Sequence, residues 1–355
     1  MCSIRSEEAA IPVSQETIGH LEGRHVDAFR LEDRGGLAAR VMEYGACLTE
    51  LHVPDRDGRI ADIVLGFSAL EGYFATKTYF GATAGRYANR IAGAAFALGD
   101  TTYQLTRNEG RNHLHGGCRG FDKVLWRGVA DAARNSVRFH HRSPDGNEGY
   151  PGALDTWVEY RLPGDRRLTI ELTARTDRAT IVNLVNHSYF NLAGHGSGPV
   201  LDQLVTIEAD GYTPVDQALI PTGEIAPVRG TPFDFTRSRP IGRDLGAGGL
   251  SGGYDHNWVL RESGPGLRPC ARAEDPVSGR VLELRTSEPG VQFYSGGQLD
   301  GSEIGKHGKP YRRFAGFTLE TQKFPDSPNN SRFPAAVLEP GADYKHVMEF
   351  RFSAS

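Results

Sequence analysis

The stretch "DYKHVMEFRFSAS" (residues 343–355) decides the fold class. Tyr344, His346, Met348, Phe350 and Phe352 fall on one side of an alternating pattern, with Lys345, Glu349 and Arg351 on the other. A period of two is the period of a β-strand, because successive side chains leave a strand on opposite faces. A strand face this apolar has to pack on a second sheet.

The same alternation recurs upstream. "RHVDAFRL" (24–31) and "GLAARVMEY" (36–44) flank Gly35-Gly36 and read as a hairpin. "TELHVPDRDGRIADIVLGF" (49–67) gives a strand pair around Asp57-Gly58, and "AAFALGDTTYQL" (94–105) one around Gly99-Asp100. In "TWVEYRLPGDRRLTIELTART" (156–176) the turn is expected at Pro163-Gly164-Asp165. Val158, Tyr160 and Leu162 share one face of the first strand, and Leu168, Ile170 and Leu172 one face of the second. Helical patterns are confined to "SALEGYF" (68–74) and a turn or two near residue 240.

Composition agrees with many strands and many turns. The chain has 355 residues, 44 of them Gly, with 20 Pro spread between short apolar runs. No low-complexity linker divides it, although "GRDLGAGGLSGGYD" (242–255) is a Gly-rich loop. A single large all-β domain of packed antiparallel sheets is the expected architecture.

Charge and cysteines bound the function. A net charge of −4 with no basic stripe offers nothing to nucleic acid or to an acidic membrane, so a small neutral partner is expected. Cys2, Cys47, Cys118 and Cys270 are far apart and form no CxxC pair, which reads as free thiols in a reducing compartment. "MCSIRSEEAAIPVSQETIGH" (1–20) has no apolar run long enough for a signal peptide or a span, so a cytoplasmic location is expected. Nothing obliges an interface, which leaves a monomer or weak homodimer. There is no GxxxxGK[ST], no GxGxxG opening a helix, no GxSxG and no HExxH.

What remains is a set of polar segments rich in turn residues. In "FAGFTLETQ" (314–322), alternation puts Phe317 and Leu319 on one face and Gly316, Thr318, Glu320 and Gln322 on the other. By itself Glu320 reads as an ordinary carboxylate on a solvated strand face; a carboxylate beside a gap left by small residues can also meet a ligand. His113 and His115 in "NHLHGG" (112–117) have the spacing of one strand face, which metal sites use, but no third and fourth ligand cluster nearby in sequence. In "GRYANRI" (85–91), Arg90 offers a donor fork suited to hydroxyls or to a structural carboxylate. Asp255 in "YDHNW" (254–258) reads as a turn residue. His187 in "NHSYFNLAGHG" (186–196) reads as a core histidine, a ligand or a proton-transfer group, and Tyr189, Phe190 and Trp258 read as core.

Together, "GRYANRI", "NHLHGG..RGFDKVLW", "NLVNHSYFNLAG", "DHNW", "PGVQFYSG" and "FTLETQKFPDSPN" resemble the aldose 1-epimerase (galactose mutarotase) family, in the family's order, from about residue 25 onward. The resemblance implies one large antiparallel β-sandwich over residues 25–355, a mutarotase-like supersandwich with a cleft across one sheet, preceded by an N-terminal extension (1–24). It implies interconversion of the α and β anomers of a free aldose such as galactose or glucose. It makes His187 the general acid and Glu320 the general base, and places His115 near the ring oxygen. Asn89, Arg90, Asp255 and Gln292 become sugar contacts. His113 has no family role, and Val185 stands where the family signature has threonine.

The implied reaction moves a proton off the C1 hydroxyl and onto the ring oxygen, opens the ring, and recloses it on the other carbonyl face. It needs an acid and a base but no redox step, so neither cofactor nor metal is expected. A glycoside hydrolase or lyase using Asp255 and Glu320, and a non-catalytic carbohydrate-binding protein, are the alternatives from other classes.

Overall fold

The computed structural model describes residues 13–246, 250–262 and 266–355. Three sheets dominate. A five-stranded antiparallel sheet runs in chain order through Ser14–Leu21, Arg24–Glu32, Ala38–Met42, Cys47–Pro54 and Ile60–Asp62. A nine-stranded antiparallel sheet is ordered Arg127–Asp131, Ser136–Ser143, Leu154–Gly164, Arg167–Thr176, Tyr344–Ala354, Arg280–Thr286, Arg268–Glu274, Leu204–Ile207, Arg239–Pro240. A six-stranded sheet is ordered Tyr189–Phe190, Phe317–Gln322, Gly290–Tyr294, Asp255–Leu260, Ala209–Thr213, Ala226–Pro227.

Tyr344–Ala354 lies in the middle of the nine-stranded sheet, paired on one side with Arg167–Thr176 and on the other with Arg280–Thr286. Its apolar residues meet apolar partners in register: Met348 opposite Ile170, Phe350 opposite Leu168 and Leu284, Phe352 opposite Leu282. All of these are buried in one continuous core with Trp258, Val291, Phe293, Phe317 and Leu319 of the six-stranded sheet. Phe350 reaches Phe190 across the layers, ring centroids 5.6 Å apart. Burial of each such side chain contributes about 1.5–3 kcal/mol.

His346 is the one polar residue on that apolar face. Its Nδ1 lies 2.9 Å from the Leu184 carbonyl, and its Nε2 2.8 Å from Thr321 Oγ1 on the six-stranded sheet. A neutral imidazole that donates at one nitrogen and accepts at the other fits both contacts, and burial lowers its pKa to keep it neutral.

The hairpins read from alternation around Gly35-Gly36, Asp57-Gly58 and Gly99-Asp100 are present. In the 154–176 hairpin the tight turn sits slightly later than expected, with Asp165 and Arg166 at φ +54° and +52° between the paired Gly164 and Arg167. The short helix is Leu70–Ala75. Near residue 240 there is no helix: Arg239–Pro240 pairs with Leu204–Val205 as an edge strand, followed by turns through residue 246. Proline lacks an N–H and is at home on an edge. Upstream of residue 25, Ser14–Leu21 pairs with Arg24–Glu32 and forms the edge of the first sheet. Among the described residues no helix is long and apolar enough to cross a membrane, and Cys47, Cys118 and Cys270 are unpaired.

Candidate active site

Register places the site. Asn257, Gln292 and Glu320 are directly opposite one another on three adjacent strands of the six-stranded sheet. Their neighbours Trp258, Val291, Phe293 and Leu319 point into the core. Alternation therefore sends Asp255, Asn257, Gln292, Tyr294, Thr318, Glu320 and Gln322 to the opposite face. That face is not the solvated surface which the 314–322 segment alone suggested. Glu320 is only 2% exposed, because the chain around residues 79–82 and 186–189 crosses over it.

His187 comes from that covering layer. Its N–H donates to the Ala82 carbonyl (2.8 Å), and its own carbonyl accepts from the Gly81 N–H (3.0 Å). Gly81 has φ +69°, and a Cβ there would meet the Leu48 carbonyl oxygen at 2.0 Å, so only glycine permits this crossing. Asn186 donates to the Gly81 carbonyl and to the Tyr160 hydroxyl, and accepts from Ser188 Oγ. These bonds fix the main chain; the imidazole itself is held by the Tyr79 and Tyr189 rings, at centroid distances of 5.4 and 5.2 Å and tilted by about 30°. Val185 is fully buried with Ala84 and Ala88, a small apolar cluster with no call for a hydroxyl.

His187 Nε2 lies 3.4 Å from Glu320 Oε1, which also accepts a 2.8 Å hydrogen bond from Thr318 Oγ1. His187 Nδ1 and Glu320 Oε2 have no hydrogen-bond partner among the described residues. The spacing is that of a loose ion pair, but burial favours the uncharged form of each partner. It pushes the Glu320 carboxyl up to about 8, against the Thr318 hydrogen bond, and pulls the His187 imidazole down to about 4. At neutral pH the pair therefore carries one proton between them.

His115 and Asn89 form the adjoining wall. Both have left-handed backbones, at φ +48° and +63°. The Asn89 N–H donates to His115 Nδ1 (3.2 Å), and the His115 N–H donates to the Asn89 carbonyl (3.1 Å). An accepting Nδ1 puts the imidazole hydrogen on Nε2. Burial, then the neighbouring His187, Arg90 and Lys123 charges, hold His115 well below the usual histidine range. His113 is elsewhere: its ring nitrogens lie 2.7 Å from the Thr106 carbonyl and 2.7 Å from the Tyr150 hydroxyl, which makes it structural.

His115, His187 and Glu320 each offer a ligand atom, all within 4.8 Å of one another, so spacing alone makes them a conceivable metal set. The chemistry of His115 opposes it. A metal on Nε2 needs the other tautomer, which would turn Nδ1–H against the Asn89 N–H.

Arg90 makes a bidentate pair with Glu109 (2.8 and 2.7 Å) and turns Nη1 toward Asp255 Oδ2 at 3.8 Å. Gln292 is buried beside Asp255, donating Nε2 to Asp255 Oδ1 (2.6 Å) and accepting from Gln322, which also donates to Asn257. The cleft has a volume of about 780 Å³ and collects Asn89, Arg90, His115, His187, Asp255 and Glu320. Its walls also include Lys123, within the quoted "RGFDKVLW", and Tyr79, Glu109 and Glu303, which no quoted motif contains. Glu109 is legible only in hindsight, as the acidic residue four positions before His113 that occupies the Arg90 fork.

An antiparallel sandwich with a buried histidine–carboxylate pair under a polar cleft is the architecture of the mutarotase-like β-sandwiches. The crystal structure of galactose 1-epimerase from Lactobacillus acidophilus superposes with a TM-score of 0.85 at 29% identity, covering 97% of this chain and 99% of that one. The family model for aldose 1-epimerase matches residues 27–351. Galactose mutarotase of Homo sapiens is 48% identical over 345 residues, 97% of this chain and 99% of that protein. Aldose 1-epimerase of Escherichia coli is 36% identical over 338 residues, covering 94% and 97%. The chain belongs to the aldose 1-epimerase family and is an isomerase of that class.

Proposed function

We propose that the protein interconverts the α and β anomers of free aldohexoses such as galactose and glucose, with Glu320 as general base and His187 as general acid. The observation that carries this reading is the buried His187–Glu320 contact at 3.4 Å, in which burial raises the carboxyl and lowers the imidazole so that one proton is shared at neutral pH. In the reactive form that proton resides on His187. Glu320 takes the C1 hydroxyl proton while His187 protonates the ring oxygen, and the C1–ring-oxygen bond breaks. The open aldehyde then stands against a protonated Glu320 and a neutral His187, the forms that burial favours. Rotation about C1–C2 and the reverse transfers close the ring with the opposite configuration. No proton enters or leaves the site during the cycle.

Arg90 beside Glu320 and Asp255 beside His187 offset the cost of the charged starting form. His115 presents its Nε2–H to the ring-oxygen side. Arg90, Asn89 and Asp255 grip hydroxyls, and Gln292 keeps Asp255 aimed by its 2.6 Å hydrogen bond. All of these residues come from one chain, so a monomer suffices. Polarimetry of freshly dissolved α-galactose tests the reading. Replacing Glu320 by Gln is expected to slow enzymatic mutarotation by about 10²–10⁴-fold; a variant with the unaltered rate would refute it.

A further inference from the structure

We infer that Tyr79 is a positioning residue that holds the two active-site imidazoles in place and keeps water from them. Its ring centroid lies 4.5 Å from that of His115 and 5.4 Å from that of His187. Lys123 Nζ stands 5.1 Å from the same ring, itself tied to Asp122 at 2.6 Å. Among the described residues Tyr79 is thus the one side chain in ring contact with both histidines, which also pack on each other at 5.1 Å.

The backbone strengthens the case. The Tyr79 carbonyl accepts from the Ala82 N–H at 3.1 Å, closing a turn whose Gly81 and Ala82 supply both main-chain hydrogen bonds to His187. On the other side, Thr76 and Thr78 donate to Glu303 Oε1 at 2.7 and 3.1 Å, anchoring the segment to the far wall of the cleft. A shift of Tyr79 therefore moves the His187 main chain and uncovers its ring together. Tyr79 is half-buried in the cleft wall, with its ring packed on the imidazoles. The other charged and titratable groups facing the imidazoles among the described residues are Glu320, Asp255, Arg90, Lys123, His113 and Tyr189.

The inference rests on His187 being the proton-transfer group, and its test separates the two ideas. Tyr79→Phe keeps the ring and is expected to stay within about threefold of the natural rate. Tyr79→Ala, with Tyr79→Gln as a second variant should Ala fail to fold, is expected to lower kcat by about tenfold or more while KM changes less than about threefold. NMR titration of the histidines gives a readout independent of turnover. The His187 pKa is expected to rise toward the ordinary histidine value in Tyr79→Ala or Tyr79→Gln and to stay low in Tyr79→Phe. An unchanged kcat or an unmoved His187 titration in the ring-less variants overturns the inference, as does a Tyr79→Phe variant as impaired as they are. Full activity of His187→Asn would instead sink the acid assignment, and the titration would still report whether Tyr79 dehydrates that ring.

Discussion

Asn89 and His115 hold each other by two hydrogen bonds, each donating its backbone N–H to the other, one at the ring nitrogen and one at the carbonyl. Both are left-handed, a conformation that costs a residue with a Cβ about 1–2 kcal/mol and that asparagine tolerates best among non-glycine residues. Asn89 also accepts the Arg90 N–H at its Oδ1, 2.8 Å away. Asn89→Ala is therefore expected to lose about 1–2 kcal/mol in urea unfolding and about tenfold in kcat as His115 drifts. Asn89→Gly should recover part of the stability but not the Oδ1 bond. Equal losses in both variants would show that backbone strain is not the issue.

His187 and Glu320, the proposed acid and base, should behave as one unit. His187→Asn and Glu320→Gln are each expected to cost about 10²–10⁴ in rate. The double variant should be within about tenfold of the worse single one, because the survivor has no proton partner. Multiplicative losses in polarimetric rates would mean that the two groups work independently.

The pH–rate profile follows from the same pair. Below about 4 both groups are protonated and no base remains; above about 8 both have lost their protons and no acid remains. A plateau between these limits is expected in kcat/KM, bounded by apparent values that belong to the pair. A single titration near neutrality would contradict the shared proton.

Stability has its own pH dependence. The pKa of Glu320 is raised from 4.5 to about 8, so unfolding releases its proton across that interval. Its contribution is fully present below 4.5 and is lost as pH rises through 8, by at most about 1.4 kcal/mol per pH unit. His187 works on the acid side: its pKa is lowered from 6.5, so stability falls as pH drops from 6.5 through about 4. Glu320→Gln is thus expected to be more stable than the natural protein at alkaline pH while nearly inactive. Urea unfolding midpoints that differ by the same amount at every pH would disprove this linkage.

Arg90→Lys should separate binding from chemistry. A lysine has no fork with which to grip Glu109 twice and still face Asp255. A rise in KM of about tenfold with kcat little changed is expected. Exhaustive chelation, by contrast, should leave the rate unaltered.

The layers of this fold are written locally. Alternation in 343–355 named the face of the central strand, and Tyr344, His346, Met348, Phe350 and Phe352 are all buried on it. The site is less legible because its parts meet only in three dimensions. Glu320 looks solvated until the 79–82 and 186–189 segments are laid over it. The link from Gln292 to Asp255 becomes visible only once register sets it beside Asn257 and Glu320. Tyr79 sits in "TKTYFGA" (76–82), outside the quoted motifs, and acquires its meaning only from rings more than thirty residues away. Trp258, an aromatic that a sugar could have used, is fully buried in the core.

Tyr344–Ala354 is flanked by strands that precede it by about sixty and about a hundred and seventy residues. During synthesis the ribosome must deliver every other strand of that sheet before this one appears. Until then Arg167–Thr176 and Arg280–Thr286 each present an unpaired edge, the kind of edge that invites association with other chains. Deleting this strand would leave all of the cleft residues encoded, yet would split the nine-stranded sheet into two halves.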